Sequence, residues 1–420
     1  MAHTPSRMLV VGGGPAGAAT AFWLAKTGAE IVVVERSPKS RITLGQGIDI
    51  TGPAVGVIQK MGLEQQVRAH TTGEAGAALC NDDGEEIGVI GTASSEGKGV
   101  ALTQEIEITR GQLCTILADA AEAHANVTFR YGCSISAIQQ GEASVTATLS
   151  DTGQAEEFAC IIGADGLASK VREMAFDPAT TRDCYNPLNV YVAFFSMPGD
   201  PTTDLPNARA QQAVGGRTIV LRPADAKADR TSCYMTIVRQ DAQLESVAAN
   251  GTPNEQRDLW MERFKDVGGL AKQALQGLKA TEDLYCTRIV QVKLPTWHSG
   301  RCALVGDAAY GPSPLTGQGT TLALVGAFVL AGELAASPKD PQAAFTRYRE
   351  TLADYVTKSQ GIPLGGRAPQ LINPQTSAGI WTLRTIFRLV SWTGVWKLAG
   401  GGWKRESFML PAYDFEMQPA

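Results

Sequence analysis

Residues Leu9-Val10-Val11-Gly12-Gly13-Gly14-Pro15-Ala16-Gly17, followed by Val32-Val33-Val34-Glu35-Arg36, read as a strand, a glycine turn, a helix and a second strand ending in an acid. This pattern holds a dinucleotide. Gly12 permits the tight turn, Gly14 lets a pyrophosphate approach the backbone, and Gly17 lets the helix pack closely on the strand. The N-terminal amides of that helix, expected over residues 18–27 with Pro15 and Ala16 leading in and a stop at Gly28, face the phosphates. Glu35 accepts from the ribose hydroxyls. A glycine turn in some other α/β unit is the bland alternative, but the apolar strand, helix and terminal acid all fall in register.

A chain of 420 residues, 44% hydrophobic and 19% charged, can bury a large core and is expected to form more than one domain. Its 37 basic and 42 acidic residues give a net charge of −5 with no basic run, which argues against nucleic acid as a partner. Eight scattered cysteines without a C-x-x-C pair, and four unclustered histidines (His3, His70, His124, His298), suggest neither a metal site nor a disulfide framework. A reducing, cytoplasmic setting is expected. No secretory signal precedes the first strand at Met8.

Two segments have the look of membrane helices. The apolar run from Leu322 to Gly332 is too short to span a bilayer and ends at Glu333, so a buried core helix is expected. The segment Ile380 to Trp392, with Trp396 and Lys397 beyond, is basic and amphipathic; it reads either as an interfacial membrane helix or as a C-terminal helix laying Leu383, Ile386, Phe387 and Val390 on the protein body. The second reading is preferred, so no membrane partner is expected.

The patterning alternates between two styles. Residues 1–76, 106–180 and 291–360 read as α/β: a helix from Gln112 to His124 precedes strands at Val127-Thr128-Phe129, Ser144 to Leu149 and Cys160-Ile161-Ile162. Residues 77–105 and 181–290 read as β-rich, with strands at Asn189 to Phe195, Ala208 to Val214, Thr218 to Arg222 and Thr231 to Val238. Residues 361–420 form a C-terminal helical segment. The expected fold is thus a Rossmann-like dinucleotide domain with an inserted β-rich domain, and a single dinucleotide, because no second glycine fingerprint follows a strand.

Two further stretches follow apolar strands. Gly163-Ala164-Asp165-Gly166 continues to Arg172, and Val305-Gly306-Asp307-Ala308 leads through Pro312 and Pro314 to Leu315-Thr316-Gly317-Gln318-Gly319-Thr320 and the long apolar helix. A buried carboxylate at Asp307 needs hydroxyl or amide donors, which a ribityl chain offers; a helix-capping role is the alternative. Asp165 reads either as a ligand or as an Asp-Gly turn residue. Arg110 opens a helix, where the dipole disfavours a cation. A pyrophosphate offsets that, or a local pair with Glu105 or Glu107 does.

The fingerprint with Glu35-Arg36, the Gly163 to Arg172 stretch and the Gly306-Asp307 stretch together resemble the class A flavoprotein monooxygenases, the para-hydroxybenzoate hydroxylase family, over residues 8–360. Gly45-Gln46-Gly47-Ile48-Asp49-Ile50 and Glu107 to Leu113 look most like the tetracycline-inactivating and polyketide-tailoring branch. The resemblance implies non-covalent FAD held by Glu35 and Arg36 at the adenosine half, Asp49 and Arg110 further in, and Asp307 at the ribityl or pyrophosphate region, with Asp165 serving both FAD and NAD(P)H. It implies transient NAD(P)H, oxygen addition to the flavin as a hydroperoxide, and oxygenation of an aromatic or polycyclic small molecule. The β-rich domain would roof the substrate, with Phe194, Gln211, Arg222 and Tyr234 as candidate lining residues. Pro312, Gly317, Gln318 and Gly319 are expected at the reacting end of the flavin, where helix amides meet developing negative charge. No side chain stands out as a general base. A monomer or homodimer is expected. Rival readings are a flavin dehydrogenase or saturase of the same fold and a non-catalytic escort protein; the Trp-x-Trp-x-Ile-Pro signature of flavin halogenases is absent.

Overall fold

The computed structural model describes residues 6–39, 45–91, 106–199, 207–227, 229–395 and 407–415. Its centre is a six-stranded sheet in the order His298–Ser299, Cys302–Leu304, Cys160–Gly163, Arg7–Val11, Glu30–Glu35, Val127–Tyr131. Every pairing is parallel except that of His298–Ser299. The central strands are short apolar runs buried on both faces, as a parallel sheet requires. The helix Pro15–Ala25 begins at the proline, three residues earlier than expected, because the fixed φ of proline suits the first helical position. It packs between the helices Arg110–Glu122 and Gly319–Ala336. Gly319–Ala336 is long and apolar enough to cross a membrane, yet 78% of it is buried inside the fold, the behaviour of a core helix.

A separate seven-stranded sheet runs Tyr285–Val292, Tyr185–Pro198, Arg230–Val238, Arg217–Pro223, Asn207–Ala213, Gly76–Cys80, Glu86–Gly91. The four expected strands of the β-rich segment are all present: three are lengthened by one to seven residues, and the one expected over 208–214 is shifted back by one. Strand alternation divides this sheet into two faces. Tyr191, Ala193, Phe195, Ile219, Leu221, Cys233 and Met235 share one hydrophobic cluster with Trp260, Phe264, Leu270 and Leu278, from the helices Pro253–Phe264 and Leu270–Ala280. The other face carries Val190, Val192, Phe194, Val220, Arg222 and Tyr234.

Three helices between residues 242 and 280 interrupt what the sequence reading treats as uniformly β-rich. Local signals mark them: Asp241 caps one helix through Gln243 N and Leu244 N, and Thr252 with Glu255 forms a capping box on the next.

The C-terminal segment is helical over Ala368–Ile372 and Ser377–Thr393. The described tail beyond it is not: residues 407–415 are extended and press Phe408, Leu410, Tyr413 and Phe415 onto the main core, with Phe415 stacked 4.8 Å from Trp23. The helix Ser377–Thr393 lies against the edge strand Glu86–Gly91, where Ser391 Oγ donates to Val89 O and accepts from Val89 N. Its roll differs from expectation. Leu383, Phe387 and Val390 are half-buried, but Ile386 is exposed, because Arg384 turns inward to Asp82 and the Gln212 carbonyl. Trp381 and Trp392 face outward; Trp396 and Lys397 lie outside the described residues.

Candidate active site

The fingerprint glycines are required by the packing. Gly12 has φ +107°, and a Cβ there would stand 2.5 Å from the Ala164 carbonyl oxygen; a Cβ on Gly17 would fall on the Gly12 carbonyl oxygen. Gly14 caps the helix without a side-chain acceptor, so the first-turn amides of Ala16 and Gly17 point into the turn. Glu35 closes the strand. One carboxylate oxygen accepts from Gly13 N at 2.8 Å and the other from Ser37 N at 2.8 Å, which fixes the acid beside the glycine turn. Arg36 is exposed at the strand end and pairs with none of the described residues.

Arg110 comes to this turn from the other side. A Cβ on Gly14 would meet its guanidinium at 3.4 Å, and one on Gly45 would meet its Cβ at 3.1 Å. It is the first residue of its helix, capped by Thr109, and it makes no ion pair with the described residues. Glu107 is committed elsewhere, to Arg222, and Glu105 lies outside the described residues. A cation at a helix N-terminus that makes no ion pair with the described residues, its guanidinium close against the space a Gly14 side chain would fill, suits a bound pyrophosphate.

Gly306, with φ +65°, brings the second motif onto the same helix: a Cβ there would be 2.9 Å from Ala16 Cβ. Asp307 begins the short helix Asp307–Tyr310 but makes no capping bond. Its carboxyl is raised by burial, opposed by Arg110, yet the side chain stays exposed. Deep placement with open access puts this carboxylate on the floor of a cleft, with its lone pairs uncommitted.

Asp165 behaves differently. Its carboxylate accepts from Ser169 Oγ at 2.5 Å, Lys170 N at 2.6 Å and Val171 N at 3.1 Å, so it organises the start of the helix Lys170–Ala175. Burial raises its carboxyl and these bonds oppose the rise. Asp165 reaches the glycine turn through backbone, its Cα lying 2.9 Å from where a Gly12 Cβ would be.

The Pro312 to Thr320 stretch forms a turn (Pro314–Thr316) and then the apolar helix from Gly319. Gly317 is left-handed, φ +63°, and a Cβ there would stand 3.9 Å from Asp49 Oδ2; a Cβ on Gly319 would meet nothing within 4 Å. Gln318 caps the helix through its backbone only, leaving the first amides unpaired with side chains. Gln291, a residue with no sequence signal, supports the loop from behind by donating to the Pro312 carbonyl at 3.1 Å.

The substrate candidates separate by strand parity. Phe194, Arg222 and Tyr234 lie on the face of the seven-stranded sheet turned to the dinucleotide-binding elements: Tyr234 Oη accepts from Gly47 N at 3.0 Å and contacts Phe194 edge-on at 5.1 Å. Gln211 lies on the opposite, helix-covered face. Its side chain accepts from Leu270 N at 2.6 Å and donates to the Gly268 carbonyl at 3.3 Å, ties that hold a helix start rather than line a cavity. Arg222 binds Glu74 through two N–H groups, at 2.8 and 3.0 Å, and approaches Glu107 at 2.7 Å. Among the described residues no group of three or more potential ligands could hold a metal. All eight cysteines are buried free thiols.

A glycine cradle, an unpaired cation beside it, an acid at the strand end and a second uncommitted acid on the cleft floor together fit FAD. The comparisons agree. The FAD binding domain family matches residues 6–356. Monooxygenase CTB7 of Cercospora beticola is 54% identical over 417 residues, 99% of each chain. Flavin-dependent monooxygenase eupH of a Phoma species is 32% identical, covering 91% of each. Among solved structures, tetracycline destructase Tet(55) superposes with a TM-score of 0.75 at 28% identity, covering 98% of this chain and 100% of that one. With its cradle, its cleft acid and its full-length relatives in accord, the chain belongs to the FAD-binding-domain family and is an FAD-dependent monooxygenase.

Proposed function

We propose that this enzyme oxygenates an aromatic or polycyclic small molecule in the cleft between the dinucleotide-binding elements and the Phe194–Tyr234 face of the seven-stranded sheet, using NAD(P)H as transient reductant. The observation that carries the reading is the pair Arg110 and Asp307: opposite charges that act on each other in one cleft, while neither makes an ion pair or hydrogen bond to a described side chain. When bound, FAD supplies the redox chemistry and the activation of oxygen.

The protein residues then have separable tasks. Glu35 accepts from the adenosine ribose, with Arg36 at the rim. The Gly12 to Gly17 amides and Arg110 hold the pyrophosphate. Asp307 accepts from the ribityl hydroxyls, and Asp49 with Gly317 borders the ring end. Asp165 shapes the turn against Gly12 rather than spending its carboxylate on the cofactor. Backbone amides at Gly317, Gln318 and Gly319, at the positive end of an 18-residue helix, stabilise negative charge that develops on the ring edge. Phe194 and Tyr234 offer an apolar, aromatic wall that seats the substrate and excludes water.

The discontinuous stretches 1–76, 106–180 and 291–360 act as the FAD-binding domain, 77–105 and 181–290 as the substrate domain, and 361–420 as a cover. The enzyme works in the cytoplasm, as monomer or homodimer, without nucleic acid or membrane partner. The test is NAD(P)H oxidation by the yellow holoenzyme, screened over phenols, aromatic polyketides and tetracyclines in ¹⁸O₂. Stimulated oxidation with label in the product supports the proposal. An oxidised product that never carries label identifies a dehydrogenase instead.

A further inference from the structure

Beside the strand Gly47–Asp49 lies a buried charge cluster, Glu74, Glu107 and Arg222, that the roles above leave unused. Glu74 and Glu107 are 8% and 2% exposed, and a single guanidinium, Arg222, serves both. Arg222 forms its aligned, two-toothed contact with Glu74. Glu107 is close to it, at 2.7 Å, but off-axis, and neither Glu107 oxygen accepts a hydrogen bond. One of those oxygens lies 2.5 Å from where a Cβ on Gly47 would be, and Tyr234 Oη lies 3.4 Å from the same point. The charged or titratable neighbours of Glu107 are therefore Glu74, Asp49, Arg222 and Tyr234, each from a different segment. Fully ionised, the two buried carboxylates Glu74 and Glu107 would share one described guanidinium, with Asp49 adding negative charge nearby, which is costly for the carboxylate left without a hydrogen bond.

We propose that Glu107, paired along its strand with Asp49, is a positioning residue that serves as the neutral acid: while its carboxyl keeps a proton, Arg222 stays committed to Glu74 and the substrate-facing sheet closes on the strand Gly47–Asp49, and ionisation, which adds a buried negative charge beside Glu74 and Asp49, loosens that junction. The naming of those two surfaces rests on the function proposed above; the protonation does not. Burial, with Glu74 and Asp49 adding to it and Arg222 opposing, pushes the Glu107 carboxyl up to about 8. Glu74 is raised as well, also by burial. The sign follows: a carboxyl raised above its unfolded value binds more protons in the fold, so stability and closure decline as pH rises from the ordinary carboxyl range through about 8.

The first test is infrared spectroscopy of the FAD-free full chain carrying isotope-labelled glutamate. The expected result is a carboxylic C=O band at pH 7 that disappears on raising the pH through about 8 and is missing from Glu107→Gln. Absence of that band at pH 7 overturns the proposal. If Glu107→Gln does not fold, Glu74→Gln serves: removing one neighbouring negative charge should move the band's titration to lower pH, and an unmoved titration refutes the cluster. The second test is FAD titration from pH 6 to 9. Wild-type affinity should fall by up to about tenfold per pH unit once Glu107 ionises, and Glu107→Gln should flatten that fall. A band that titrates in a protein that never binds FAD would sink the functional reading and leave the protonation standing.

Discussion

Replacing Asp307 by alanine separates what the fold needs from what the cofactor needs. The Asp307 carboxylate accepts no hydrogen bond from the described residues, caps nothing, and is opposed by burial with only Arg110 in its favour. Its carboxyl is raised in the fold, so ionised Asp307 costs the FAD-free protein stability at every pH above the unfolded carboxyl value; removing it should leave the thermal midpoint unchanged or higher. In the holoenzyme the same carboxylate accepts from ligand hydroxyls. Loss of a hydrogen bond to a charged group costs about 1.5–3 kcal/mol, roughly a ten- to hundredfold weaker dissociation constant for FAD. The assay is fluorescence titration of FAD-free protein alongside a melting curve without ligand. Asp307→Asn, which keeps one acceptor oxygen, should fall between. A folded Asp307→Ala protein with wild-type FAD affinity would refute the reasoning, and a large loss of stability without FAD would show that the carboxylate supports the fold.

Four other substitutions divide along the same line. Gly17→Ala places a methyl group on the Gly12 carbonyl and should destabilise the FAD-free protein by about 3 kcal/mol or more, read from denaturant melts. At Gly319 a Cβ meets nothing within 4 Å, so Gly319→Val should shift unfolding by no more than about 0.5 kcal/mol; in the proposed site it should instead raise the share of NAD(P)H oxidation that ends in hydrogen peroxide, measured against product formed. Gln211→Ala leaves the buried Leu270 amide unpaired and should cost about 1–3 kcal/mol of stability with KM for substrate unchanged, whereas Phe194→Ala should raise KM with little change in the melt.

The sequence made the dinucleotide half legible because its constraints are local. A glycine in a tight turn, a proline that starts a helix and an acid that ends a strand each announce themselves within a few residues, even where the contact each makes, as Gly12 with Ala164 and Glu35 with Gly13, lies further along the chain. Strand existence in the sheet half was legible for the same reason. Strand facing was not: Gln211 and Phe194 sit in equally convincing alternating runs, and only the helices of residues 242–280, which cover one face, decide that Gln211 turns from the cleft and Phe194 toward it. Those helices were themselves signalled by Asp241 and by Thr252 with Glu255, but β-branched runs on either side outweighed the caps.

Charge partners show where local reading stops. Arg110 and Glu107 are three residues apart and looked like a possible pair, yet on an extended strand entering a helix their side chains leave in different directions. Glu107 meets Arg222 instead, and Arg222 binds Glu74 across a separation of 148 residues. No periodicity carries that information, because it arises only when two sheets close on one another. The consequence is functional. With Glu107 drawn away, Arg110 acts on Asp307 without forming an ion pair to any described residue, and its guanidinium stays free beside the glycine turn to meet an anion from outside the chain. The pairing that sequence reasoning could not foresee therefore leaves the fingerprint with the cation that a pyrophosphate needs.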